Sequence, residues 1–232
     1  MAKKVFLSPS DHGVGQNKCL HSGCYEDKHT RPIAEVCAKH LKNSGVEVMI
    51  GAANQSLSKR CQDSDTFGAE LHVPIHTNAW SNPELRYLMF MFYADNDKYR
   101  KVFNTVAPEL EAVYPGKKKS VFAVRTDLTE VIKPKAVTLY CELGFHTNQR
   151  DCDEFIHNPE VVGKALAKGI CKYLGVKFVE PKAEQPAANG IYRVFNSAGK
   201  QVGAYSVEAN AFNEVRNQLK TGGSAKITYG TK

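Results

Sequence analysis

Short apolar runs alternate with stretches of helical period along most of the chain, and this alternation narrows the possible folds more than any other feature. "KVFLS" (4–8), "VEVMI" (46–50), residues 69–76, "RYLMFMFYA" (86–94) and "AVTLYCE" (136–142) read as strands, the fourth buried on both faces. Between them, Ile33, Val36, Cys37, His40 and Leu41 share one helical face. Thr30 with Pro32 opens that helix and Gly45 lies past its end. Leu57, Arg60, Cys61 and Ser64 suit a shorter helix. Tyr99, Val102, Phe103, Val106, Leu110 and Val113 suit a longer one. A final helix spans 159–174, after Asn158-Pro159 and before Gly175. Strands separated by helices of this length imply an α/β domain, with a mixed, mostly parallel twisted sheet flanked by helices.

The stretch "LHVPIHTNAW" (71–80) sets two histidines four apart, the spacing of a metal pair on one helix face. Pro74 opposes a helix, because it lacks the N–H that a helix interior needs. Leu71, Val73 and Ile75 alternate with His72, Pro74 and His76, the period of a strand with one buried face. Four strand residues span roughly 13 Å, whereas zinc holds imidazole nitrogens at about 2 Å. His72 and His76 therefore cannot share an ion. At most one is a ligand, and His72 is expected to be structural.

The 232 residues suffice for one substantial domain and a small one. Residues 1–175 form the expected main domain, and "VKFVEPKAEQPAAN" (176–189) reads as a linker. Residues 190–232 show a hairpin turning at Ala198-Gly199, a helix with Ala209, Phe212, Val215 and Leu219 inward, and a last strand. A ββαβ module of 43 residues is near the limit of independent folding, so it is expected to lean on another surface or pair with its copy. Residues 176–232 hold eight Lys/Arg against four Asp/Glu, while the first 175 hold 23 against 20. That excess suits an anionic polymer.

No apolar run approaches membrane-spanning length. "MAKKVFLSPSD" has too few apolar residues for a secretory signal, so synthesis in the cytoplasm is expected, with any outside target reached by another route. Seven scattered cysteines then read as reduced, with Cys37, Cys61, Cys141 and Cys171 in the core. Cys19, His21, Cys24, Glu26 and His29 crowd into eleven residues, a density of zinc-ligand types.

In such sheets chemistry gathers at the carboxyl ends of strands. His12 follows the first strand, His76 ends a later one and Glu142 ends another. Each has a structural alternative: His12 as a loop contact, Glu26 as a first-turn glutamate favouring the helix dipole, His76 as a hydrogen-bonded strand end. Glu142 is the hardest to read so, since a carboxylate closing an apolar strand calls for a partner. The order "SPSDHGVG", Glu26 before a long helix, "PIHTN", then "ELGFHTN" resembles the zinc-dependent N-acetylmuramoyl-L-alanine amidases of clostridial bacteria and their phages, over residues 3–175.

The resemblance implies Zn2+ bound by His12, Glu26 and His76, with Glu142 as the catalytic carboxylate. It implies hydrolysis of the amide joining N-acetylmuramic acid to L-alanine in peptidoglycan, and wall lysis after release. The family's loop is usually D-P-G-H-G-G, so the residue that would hold the His12 ring through its other nitrogen differs here, and Asp11 is the expected holder. The C-terminal module looks somewhat like half of a sporulation-related repeat, which implies wall binding.

The expected partners are peptidoglycan and anionic wall polymers, with a homodimer through the module as the other use. No nucleic-acid or membrane partner is expected. Two rivals remain at this stage. A zinc peptidase cutting within the stem peptide needs the same metal chemistry. A basic nucleic-acid-binding protein would use Cys19, Cys24 and His29 in a zinc knuckle, but it lacks a regularly spaced fourth ligand unless His21 serves. It also lacks an aromatic-basic stripe.

Overall fold

Val5, Phe6 and Leu7 have no exposed surface, and the strand they form, β1 (Lys4–Pro9), lies inside a parallel sheet. This computed structural model describes residues 2–13, 15–19, 24–116, 120–181, 190–205, 208–220 and 223–231. The chain divides into two compact units, Met1–Pro181 and Lys182–Lys232.

In the first unit, β1 is followed by α1 (Asp27–Asn43), β2 (Glu47–Ile50), α2 (Leu57–Phe67), β3 (Leu71–Asn78), β4 (Met89–Phe92) and α3 (Asp97–Glu111). Then come β5 (Val121–Val124), α4 (Thr129–Ile132), β6 (Val137–Thr138), β7 (Tyr140–Phe145), α5 (Gln149–Asp151), a π-helical stretch Cys152–Ile156 and α6 (Pro159–Leu174). The sheet order is β2-β1-β3-β7-β4-β5, with β6 also paired to β3. β1, β2, β3, β6 and β7 run parallel, whereas β4 opposes β7 and β5 follows β4. This is the mixed, mostly parallel sheet that the alternation implied. No helix among the described residues is long and apolar enough to cross a membrane.

The inner stripe of α1 is buried at Ile33, Cys37, His40 and Leu41, as its spacing predicts. α1 packs on α6 and α3 packs on α6, covering the sheet face that carries Leu71, Val73 and Ile75. α1 starts at Asp27 rather than Thr30, so Pro32 falls inside it, past the first turn, and removes one i→i−4 hydrogen bond from the helix. The short helices α2 and α4 supply Arg60 and Glu130, which meet polar groups on the other face. β3 is consequently buried on both faces as far as Ile75, not on one.

The expected strand 136–142 is broken into β6 and β7, and Pro74 explains the break. Leu71 and His72 pair with Val137 and Thr138, and Ile75 and His76 resume with Cys141 and Glu142 in the same register. The Leu139 N–H donates to the His72 carbonyl at 2.9 Å, but the next donor toward that strand would be Pro74, which has no N–H. Beyond His76 the register slips by one residue at a bulge, with Gly144 at φ +80°. β4 is shorter than the run 86–94: Arg86 leaves it to bond Asp151 at 2.7 Å, and Tyr93 is exposed.

Part of the expected linker belongs to this unit. Phe178 stacks on His40 at 5.5 Å, the Val179 N–H donates to Ser44 Oγ, and Glu180 pairs with Lys164. Residues 182–189 lie outside the described residues, as do His21 and Lys117–Lys119.

The second unit holds β8 (Gly190–Asn196), β9 (Gln201–Tyr205), α7 (Glu208–Lys220) and β10 (Ala225–Thr231), with antiparallel order β10-β8-β9. Gly199 turns the hairpin at φ +74°, and the Asn196 side chain accepts from the Ala198 and Lys200 N–H groups. The inward face of α7 differs from expectation. Ala211 is buried, whereas Phe212 and Leu219 are about half exposed, at 48% and 53%. A sheet of three strands is too narrow to cover the whole apolar stripe.

Gly163 sets the approach of α6 to α1. A Cβ there would lie 2.7 Å from the Ile33 carbonyl oxygen and 2.8 Å from Val36 Cβ. Alanine would gain up to about 1 kcal/mol of helix propensity, but overpacking against backbone costs about 1–3 kcal/mol. Gly163→Ala should therefore lower the urea midpoint. An unchanged or raised midpoint would show that the helices can separate freely.

Candidate active site

β1, β3 and β7 are neighbours in the sheet, so their carboxyl ends share one edge. His12 follows β1 by three residues, His76 lies near the end of β3, and Glu142 is its register partner on β7. Glu142 sits inside β7, not at its end, because the strand continues to Phe145. Glu26 comes from the N-terminal boundary of α1 and reaches the same edge. Its Oε1 is 3.3 Å from His76 Nδ1 and accepts the Thr77 N–H at 2.7 Å, while its Oε2 accepts from Asn17 Nδ2 at 2.6 Å. The rings of His12 and His76 lie 5.9 Å apart, centre to centre. Four groups from four elements thus gather at one edge.

Their electrostatics differ group by group. Burial alone would raise the Glu26 carboxyl, but the His76 ring, the Asn17 amide and the Thr77 N–H outweigh it and hold it at about 2. Burial would likewise depress His76, yet its hydrogen bond with Glu26 and the charges of Glu26, Glu142 and Glu130 raise it. Glu142 goes the other way. Burial pushes its carboxyl up to about 7, with His76 and Arg125 opposing and Glu26 adding to the rise. Burial, then the His76 charge, lowers His12. Among the described residues, two buried polar atoms at the edge have no hydrogen-bond partner, His12 Nδ1 and Glu142 Oε2. An edge with carboxylates, imidazoles and unanswered polar atoms suits a cation and a polar substrate.

Residues 7–172 match the profile of the N-acetylmuramoyl-L-alanine amidase family, which covers well over half of the chain. The chain belongs to that family. It is an N-acetylmuramoyl-L-alanine amidase, an enzyme that acts on peptidoglycan. The fold agrees with three solved relatives. The amidase AmiC2 of Nostoc punctiforme is 20% identical, with 75% of this chain and 97% of that one covered and a TM-score of 0.66. An N-acetylmuramoyl-L-alanine amidase from Clostridium difficile 630 is 19% identical, with 75% and 97% covered and a TM-score of 0.66. The catalytic domain of the CD27L endolysin targeting Clostridia Difficile is 18% identical, with 77% and 99% covered and a TM-score of 0.58. No curated protein sequence matches the chain.

Several residues around this edge escape motif reading. Asp11 does not hold the His12 ring; its carboxylate is bound by Arg31 and by the fully buried Arg60. Arg60 also donates to the Pro9 and Ala52 carbonyls, so one guanidinium fastens the end of β1 just before His12. An arginine in the inner stripe of α2 was the available signal, since arginine is rarely buried without partners. Thr77 joins three groups. Its N–H binds Glu26, and its hydroxyl lies 2.9 Å from His29 Nε2 and 3.0 Å from His146 Nδ1. His146 is thus buried and bonded, not a surface neighbour. His72 stacks on Phe6 at 5.2 Å and meets Glu130 at 3.2 Å, away from any ligand role.

Removing one partner of a buried ion pair costs about 3–5 kcal/mol, much of a typical 5–15 kcal/mol total. Arg60→Met should therefore lower thermal stability strongly and loosen the His12 loop. Loss of amidase activity at temperatures where the variant is still folded is the expected second sign. Full stability would remove Arg60 from this role.

Proposed function

We propose that this amidase is zinc-dependent and lyses bacterial walls, with His12, Glu26 and His76 as the metal ligands and Glu142 as the proton carrier. The reading rests on the unpartnered His12 Nδ1 and Glu142 Oε2 beside the Glu26–His76 pair. Two imidazoles and a carboxylate are a donor set that suits a catalytic zinc. Thr77 and Asn17 would orient Glu26, as outer hydrogen bonds do for metal ligands. A zinc ion bound there supplies Lewis acidity and a water that ionises near neutrality.

The rest is work for the chain's own groups. Glu142, held at about 7 by burial, can both take and return a proton near neutral pH. In amide hydrolysis it accepts a proton from the attacking water and delivers one to the departing L-alanine nitrogen. Without that delivery the amine is a poor leaving group. Arg125, whose charge opposes the rise in Glu142, limits how far the carboxyl stays protonated.

Glu142→Gln should keep its zinc and lose about 100- to 10,000-fold in rate. His76→Ala should lose the zinc of this site, while His72→Ala should keep it. Digestion of purified peptidoglycan should release free L-alanine amino groups and no new reducing sugars. Fragments cut within the stem peptide would instead support the zinc-peptidase reading. Near-full turnover in Glu142→Gln would assign the proton to another group.

The second unit is read as a module for anionic wall polymers. Its basic excess and the exposed Phe212 and Leu219 support a surface that meets a partner. Truncation after Pro181 should leave hydrolysis of soluble muropeptides intact and weaken lysis of whole cells, most visibly at moderate salt, where screening trims the attraction. Sedimentation of both forms tests the competing use in dimerisation. Equal mass state, wall binding and lysis in the two forms would exclude both roles.

A further inference from the structure

Beside the catalytic edge, and separate from its ligands, lies a second cluster of metal-binding side chains. Cys19, Cys24, His29 and His157 each direct a ligand atom to one point, and among the described residues these atoms all fall within 4.8 Å of one another. Cys24 Sγ is 3.8 Å from His29 Nδ1 and 3.3 Å from His157 Nε2, and Cys19 Sγ is 3.9 Å from His29 Nδ1. A tetrahedral zinc with Zn–S near 2.3 Å and Zn–N near 2.0 Å sets its ligands roughly 3.3–3.8 Å apart. The two Cys24 separations fall in that frame, and that from Cys19 Sγ to His29 Nδ1, at 3.9 Å, lies just beyond it. The two sulfurs, at 2.8 Å, are closer than zinc ligands sit and farther than the roughly 2.05 Å of a disulfide.

We infer that Cys19, Cys24, His29 and His157 form a second, closed zinc site that staples the loop before α1 to the segment before α6. Two thiolates and two imidazoles are the donor set of structural zinc, with no position left for water. On metal entry each thiol gives its proton to solvent and its sulfur lone pair to the metal. His29 is already oriented for this. Its Nε2 is occupied by the Thr77 hydroxyl at 2.9 Å, so Nδ1 faces the sulfurs. Cys19 and His29 are buried, Cys24 is half-buried and His157 is exposed, which leaves an entry path.

The site also has a reason to exist where it does. The loop carrying Cys19 and Cys24 supplies Asn17, which binds Glu26, and Thr77 touches both His29 and Glu26. Anchoring that loop to His157 therefore steadies the outer partners of the Glu26 carboxylate. This zinc would position and would not react.

The test is metal analysis of the full-length protein purified under reducing conditions. A zinc equivalent beyond that of the catalytic edge is expected. His157→Ala, at an exposed position with little risk to folding, and Cys24→Ser should each lose that equivalent. His76→Ala should retain it. Cobalt substitution should give an intense thiolate-to-cobalt charge-transfer band that survives in His76→Ala and vanishes in Cys24→Ser. Zinc content unchanged in both His157→Ala and Cys24→Ser, or a mass showing Cys19 and Cys24 joined as a disulfide in the metal-loaded protein, would overturn the inference. Failure of the catalytic zinc reading would appear separately, as zinc content unaffected by His76→Ala.

Discussion

A parallel sheet delivers all its carboxyl ends to one edge, and in this chain the register of β1, β3 and β7 decides what stands there. Ser8 pairs with Pro74 and His76 with Glu142, so the residues following β1 and those ending β3 arrive level with the middle of β7. A slip of one residue would turn His76 and Glu142 to the opposite face. The register is held by Leu71, Val73 and Ile75 on the helix-covered face and by the His72–Glu130 contact on the other. Pro74 interrupts the β3–β7 ladder without shifting it, and the bulge at Gly144 lies just past the His76–Glu142 pair.

The edge is also where the molecule buries charge. Asp11, Glu26 and Glu130 are nearly or fully withdrawn from water and Glu142 is half-buried, and the first three have positive or hydrogen-bonding partners close by. Glu142 Oε2 finds no hydrogen-bond partner among the described residues, and this carboxyl is the one pushed to about 7. The contrast follows from position. Glu26 reaches Thr77 and Asn17 from a helix boundary, whereas Glu142 is fixed in a strand with backbone on both sides. Two carboxylates on one edge thereby acquire opposite tendencies, one ionised throughout and one able to exchange a proton near neutrality.

Thr77 serves three neighbours at once. Its backbone reaches Glu26, and its hydroxyl reaches both His29 and His146. A change on the side of Cys19 and Cys24 therefore has a short physical route to Glu26, through hydrogen-bonded groups.

Local order was legible in the sequence wherever neighbouring residues share one environment. The helical stripe of α1, the strand character imposed by Pro74, the bounds of α6 and the hairpin at Gly199 all follow from spacing and turn chemistry. So did the separation of His72 from His76, since strand period forbids one ion for both. Motif order was enough to point to His12, Glu26, His76 and Glu142, and to the family. What spacing could not supply was pairing between distant segments: Arg60 with Asp11, Thr77 with three partners, Pro74 opposite the gap between β6 and β7. The same holds for His157, which lies 133 residues from Cys24 in the chain and 3.3 Å from its sulfur. Periodicity reports which side of an element is buried, but the partner across the core is set by sheet register and helix packing, and those exist only once the chain has folded.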